Sequence, residues 1–202
     1  MRTELLHEPF VDAHQQHDAS SLGMWTFLAS EVLLFTGLLT AFAARASIHG
    51  DAFRRMSHEH MHVTLGTLNT AVLLTSSLTM ALAVHRARES AARPKALLAA
   101  TALLGVVFLT IKAHEWFLAF GEHLAPWDPA AALQADERLF FVLYFVLTGV
   151  HALHLTIGVG AVLAIALLRA PPNAIEMTGL YWHLVDVVWL FLFPLFYLMG
   201  AG

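Results

Sequence analysis

An all-α integral membrane bundle of five transmembrane helices is the fold class this sequence predicts. Three observations predict it. Of the 202 residues, 58% are hydrophobic and only 13% are charged, whereas soluble domains carry about 25% charged residues. The apolar residues run in continuous stretches of the length a helix needs to cross a bilayer, roughly 20 residues, instead of alternating as strands of a membrane barrel do. Finally, lipid offers the backbone no hydrogen-bonding partner, so helices that satisfy their own amides are the economical way across.

The first span is expected over residues 22–44, LGMWTFLASEVLLFTGLLTAFAA, followed by a polar loop with Arg45, Arg54 and Arg55. The second covers 62–85 and closes on Arg86, Arg88 and an Arg93-Pro94-Lys95 turn. The third, 96–118, ends in IKAHEWFL and enters an acidic, proline-containing loop. The fourth, 139–168, is long enough to tilt and is broken by Arg169-Ala170-Pro171-Pro172-Asn173. The fifth runs from there to the C-terminus.

Ahead of the spans, residues 1–21 form a polar tail without the basic start and apolar run of a cleaved signal peptide, so the first span is expected to stay as an anchor. No internal repeat or low-complexity linker divides residues 22–202, which are expected to form one membrane domain. Lys and Arg in the short loops number six on the N-terminal side (Arg2, Arg86, Arg88, Arg93, Lys95, Arg169) and four on the other (Arg45, Arg54, Arg55, Arg138). That predicts a cytoplasmic N-terminus and an outside C-terminus. The net charge of −4 and scattered basic residues exclude nucleic acid as a partner. The lack of cysteine excludes disulfides, thiolate metal sites and a cysteine nucleophile. Thirteen histidines leave haem ligation open on composition alone.

Ionisable groups at membrane depth cost about 2.5–3.5 kcal/mol each on insertion scales and need a reason. Glu31 lies near the middle of the first span, with Phe27 and Phe35 a turn away on either side. It reads equally as a proton-exchanging or partner-binding carboxylate and as a buried structural acid. His151 and His154, i and i+3 in the fourth span, share one face. Metal or haem ligation would need further ligands from facing helices, and none is evident. The expectation is neutral imidazoles bonding across helices, with Glu31 as one partner. Asn69, Thr67, Thr70 and the Ser76-Ser77 pair read as glue between helices. Lys112 and Glu115 form an i, i+3 pair near the end of their span, with Lys112 expected to snorkel toward the headgroups.

His183 and Asp186 repeat that spacing in the last span, flanked by Trp182, which suits an interfacial position, and Trp189. A carboxylate near a helix N-terminus also gains from the helix dipole. The HEHMH run (His58 to His62) and His7, His14 and His17 read as solvated.

These stretches resemble a known family in five places. Gly179-Leu180-Tyr181-Trp182-His183-Leu184-Val185-Asp186-Val187-Val188-Trp189 closely resembles the C-terminal signature of subunit III of haem–copper oxidases. Trp25 through Phe42, with Glu31, resembles that subunit's glutamate-bearing helix. Leu68-Asn69-Thr70 resembles its next helix, Glu115-Trp116 stands where the family has Glu-Tyr, and Thr148 through Gly158 resembles its TGxHxxHVxxG segment. The likeness covers about residues 20–200.

The resemblance implies a non-catalytic subunit of a proton-pumping terminal oxidase in the bacterial inner membrane. It implies no cofactor here, with haem and copper in subunits I and II. Subunit I would be the main contact, subunit II and a larger respiratory supercomplex further partners, and phospholipid a ligand. The subunit sustains proton uptake and protects the catalytic centre during turnover. The matched carboxylate, Glu31, is a carbodiimide-reactive group in the family. Longer members have seven spans, and the first two have no counterpart here. Trp116 in place of Tyr removes a hydroxyl. Three other functions stay open on the residues: an accessory subunit of nitric oxide reductase with the same fold, a haem b membrane anchor, and a transporter or proton channel. The last is disfavoured by the lack of a repeat or of paired broken helices.

Overall fold

A computed structural model describes residues 13–89, 94–168 and 171–200. Arg2, His7, Arg93 and Arg169 lie outside the described residues, as do the side chains of His14 and His17. The order is α1 (Ala13–Ile48), α2 (Gly50–His60), α3 (Val63–Glu89), α4 (Lys95–Gly121), α5 (Ala135–Leu167) and α6 (Pro172–Phe193), continued by a π-helical turn, Pro194–Leu198. Five of these are long and apolar enough to cross a membrane, with mean hydropathy of 1.5 to 2.1. There is no strand among the described residues.

α1 and α4 run past their apolar segments at both ends, α3 past its C-terminal end and α5 past its N-terminal end. α1 begins within the polar tail, and α5 starts at Ala135 because Gln134 and Glu137 form a reciprocal cap, the Gln134 amide donating to Glu137 Oε2 at 3.0 Å. Polar residues extend a helix readily once its ends leave the lipid, so hydrophobicity marks the membrane and not the helix.

α3, α4, α5 and α6 close into a ring, each touching its neighbours in the order α3–α4–α5–α6–α3. Trp182 sits inside this ring, fully buried. Gly105 makes room for it: a Cβ there would lie 2.8 Å from the Trp182 ring and 2.8 Å from Val159. Small residues at such crossings let helices approach in lipid. Trp182 is therefore a core residue, and the interfacial position expected of it is corrected. Its flanking position near a span end looked interfacial only because the packing partners are on other helices.

α1 lies outside the ring and rests on α6, α2 and α5. Leu28, Phe35 and Phe42, seven residues apart, are its buried stripe, while Leu22, Trp25 and Leu33 point outward. A seven-residue repeat keeps one narrow seam facing a partner, which suits a helix packed on one side only.

The polar loop expected after the first span is instead a short amphipathic helix, α2. Phe53, Met56 and Ser57 face inward, and Arg55 reaches Glu137 at 2.7 Å. The Ser57 hydroxyl donates to the Phe196 carbonyl at 2.7 Å and accepts from the Gly200 amide at 3.2 Å, tying the end of the chain to α2. His58 and His60 belong to this helix, and His60 sits 3.2 Å from Glu122, so the solvated reading of the HEHMH run fails at His60.

Candidate functional site

Four groups of buried polar residues lie within the spans. On α1, Glu31 Oε2 is 2.7 Å from His154 Nε2 on α5. The other ring nitrogen, Nδ1, is 2.7 Å from the Val150 carbonyl one turn back. A carbonyl only accepts, so Nδ1 carries a hydrogen. The Nε2–Glu31 contact then contains one proton, residing on the imidazolium or on the carboxyl. Phe35 packs against the His154 ring at 5.1 Å, and the Tyr181 hydroxyl donates to the His154 carbonyl at 2.9 Å. This is a polar tether between the outlying helix and the ring.

His151 does not join it. One turn before His154 it turns into the ring, between Phe108 at 5.6 Å and Trp189 at 5.2 Å, with neither nitrogen hydrogen-bonded. The expectation that both histidines bond across helices therefore holds for His154 and not for His151, because 100° per residue splits even i, i+3 neighbours between two clefts. Asn69 lies in the same layer, its amide donating to the Phe108 carbonyl at 3.4 Å, and the Trp189 indole donates to Thr70 at 3.0 Å. Ser76 donates to the Thr101 carbonyl at 3.2 Å. Thr67 bonds back only to Val63 in its own helix, so it is not glue between helices.

Lys112 and Glu115 on α4 are almost fully buried, with side chains 3% and 4% exposed. The Lys112 ammonium donates to Glu115 at 3.1 Å, to the Tyr144 hydroxyl at 2.9 Å and to the Tyr197 hydroxyl at 2.8 Å, committing all three of its hydrogens. Tyr197 in turn donates to Glu115 at 2.6 Å. Snorkelling is therefore corrected: the ammonium points inward because three oxygens inside the ring replace its hydration.

Tyr197 reaches that far because Pro194 lacks an amide hydrogen and the chain widens into a π-turn there. Gly66 leaves space beside it, since a Cβ would lie 2.8 Å from its ring.

On α6, His183 Nδ1 is 2.9 Å from the Ser77 hydroxyl on α3, which makes it an interhelical link. Asp186 is 4% exposed, yet neither of its oxygens has a hydrogen bond, and His183 Nδ1 stands 3.9 Å away.

The tyrosines are what sequence reasoning missed. The chain has three. Tyr144 and Tyr197 close the Lys112–Glu115 cluster and Tyr181 braces His154. A buried phenol needs a partner for its hydroxyl, so their rarity inside the spans was the available signal.

No set of three or more His, Asp and Glu among the described residues is arranged to hold a metal ion. What the arrangement can do is hold helices together and hold protons.

Residues 8–201 match the family model for cytochrome c oxidase subunit III. A quinol oxidase subunit 3 of Bacillus subtilis (strain 168) is 33% identical over 190 residues, covering 90% of this chain and 87% of the relative. A cytochrome c oxidase subunit 3 of the same organism is also 33% identical, covering 89% and 86%. A cytochrome bo(3) ubiquinol oxidase subunit 3 of Pseudomonas aeruginosa is 29% identical over the full length of both. With five apolar helices in the expected order and a match over nearly all its length, the chain belongs to the cytochrome c oxidase subunit III family.

Proposed function

We propose that this chain serves as the non-catalytic subunit III of a proton-pumping terminal oxidase, supporting the oxygen-reducing subunits without carrying a redox centre itself. The match across residues 8–201 carries the reading. The relatives favour it over a nitric oxide reductase accessory and over a haem b anchor. Equal identity to a quinol oxidase subunit and a cytochrome c oxidase subunit from one organism supports a donor site located in other subunits.

In this reading subunit I is the main contact and subunit II and a respiratory supercomplex are further partners, with the apolar outer face of α1 available to lipid or protein. Phospholipid is the expected ligand and the bacterial inner membrane the location, with the N-terminus cytoplasmic and the C-terminus outside. The Glu31–His154 pair supplies a proton-holding group on the side where α1 meets the ring. It supports proton supply to the catalytic subunit during turnover.

Purification through a tag on this chain in mild detergent tests the assignment. A large haem-bearing subunit should come with it, with the Soret band assigned to that partner. A chain that emerges alone from cells making the oxidase contradicts the reading.

A further inference from the structure

Asp186 is the one buried carboxyl among the four groups without a hydrogen bond. Leaving a buried polar atom unpaired is costly, and an ionised one more so. Its surroundings supply little help. The titratable group beside it is His183, on its own helix, and α3 adds the Ser77 hydroxyl. No hydrogen bond reaches it from α4 or α5.

A second observation concerns access. Between α3 and α6 runs a groove of about 220 Å³ walled by Ala81, Val84 and Leu180. The ion pair of Arg88 and Glu176 lies at the end where the helices leave the membrane. His183 lines the groove about two turns deeper along α6, roughly 10 Å at 1.5 Å per residue. Its side chain is 38% exposed while that of Asp186 is 5% exposed. His183 therefore has one edge on the groove and Nδ1 toward Ser77 and Asp186.

We propose that Asp186 is a proton-binding site, loaded and unloaded through His183 from the groove between α3 and α6. The groove side of the imidazole takes a proton at Nε2. Asp186 stands 3.9 Å from Nδ1, so the imidazolium gives its Nδ1 proton to the Ser77 oxygen 2.9 Å away while the Ser77 hydroxyl passes its own hydrogen to Asp186, leaving a neutral imidazole with its hydrogen on Nε2. Unloading is the reverse. Ser77 holds the ring in place between transfers. The ligand is the proton alone, and no other reactant is consumed. The proposal concerns this chain's own carboxyl and does not rest on the oxidase assignment.

Infrared spectroscopy on the tag-purified chain, with whatever partners accompany it and in a Glu31→Gln background, tests it. The parent should show a protonated-carboxyl stretch that is lost in Asp186→Asn and moves in Asp186→Glu. On transfer to heavy water the band should shift, and His183→Phe should keep the band but slow that shift several-fold. Should Asp186→Asn disturb assembly, Asp186→Glu and His183→Phe still decide the matter. A carboxyl band identical in parent and Asp186 variants overturns the site, and an unchanged exchange rate in His183→Phe overturns the route. Neither result bears on which complex the chain belongs to.

Discussion

Two base–acid pairs stand diagonally across the helix ring, each three residues apart on its helix. The pair on α4, Lys112 and Glu115, is closed: two tyrosines and the two charges use one another's donors and acceptors. The pair on α6, His183 and Asp186, is open: the base is engaged by Ser77, and the acid has no hydrogen bond. A closed buried network gives a fixed geometry and little reason to exchange protons. An open one leaves a group whose state can change. Ionisable residues in this membrane bundle divide by whether their hydrogen-bonding capacity is used up, and not by charge or spacing.

The closed cluster yields the largest expected effect. Glu115→Ala strands the Lys112 ammonium and should cost about 3–5 kcal/mol, read as loss of thermal stability of the purified assembly. Lys112→Met with Glu115→Leu should recover most of it, because an apolar pair can replace a buried ion pair at little cost. A mild single variant would break the comparison at its strongest point. Tyr197→Phe comes next. It removes a donor to a charged acceptor, and the same thermal assay should register about 1.5–3 kcal/mol.

The open pair predicts the contrast. Asp186→Asn should change stability by less than about 1 kcal/mol, since no hydrogen bond is lost. A loss as large as that of Glu115→Ala would mean the acid is tied down after all.

The smallest effect lies outside the membrane, in the loop after α4. His123 Nδ1 contacts Asp128 at 2.7 Å and the Ala130 amide donates to the same carboxylate at 2.8 Å. These bonds, the histidine's first, hold Asp128 below the usual carboxylate range. The folded loop thus favours the ionised form, and that contribution is present at neutral pH and lost as acid titrates Asp128, below about pH 4. Because the site is exposed the change is local and salt-sensitive. Fluorescence of the neighbouring Trp127 should shift on acidification in the parent and not in Asp128→Asn.

The five spans were legible because continuous apolar length is a one-dimensional signal. Glu31 and His154 could be named as a candidate couple because each was anomalous in lipid. What stayed hidden depends on rotation about helix axes and on neighbours. Nothing in the order of residues says that His151 and His154 part ways, or that Lys112 turns inward toward tyrosines 32 and 85 positions away. The α2 helix was hidden for another reason: a short stretch with two arginines and two histidines reads as solvated until its one apolar face has something to cover.

The most direct test of a supporting role removes this chain from the oxidase and follows oxygen consumption together with proton release over many turnovers. The initial rate and the haem spectrum should stay close to those of the complete enzyme, with fewer protons moved per electron and faster inactivation. Missing haem or copper signals would contradict a supporting role. So would unchanged stoichiometry and lifetime.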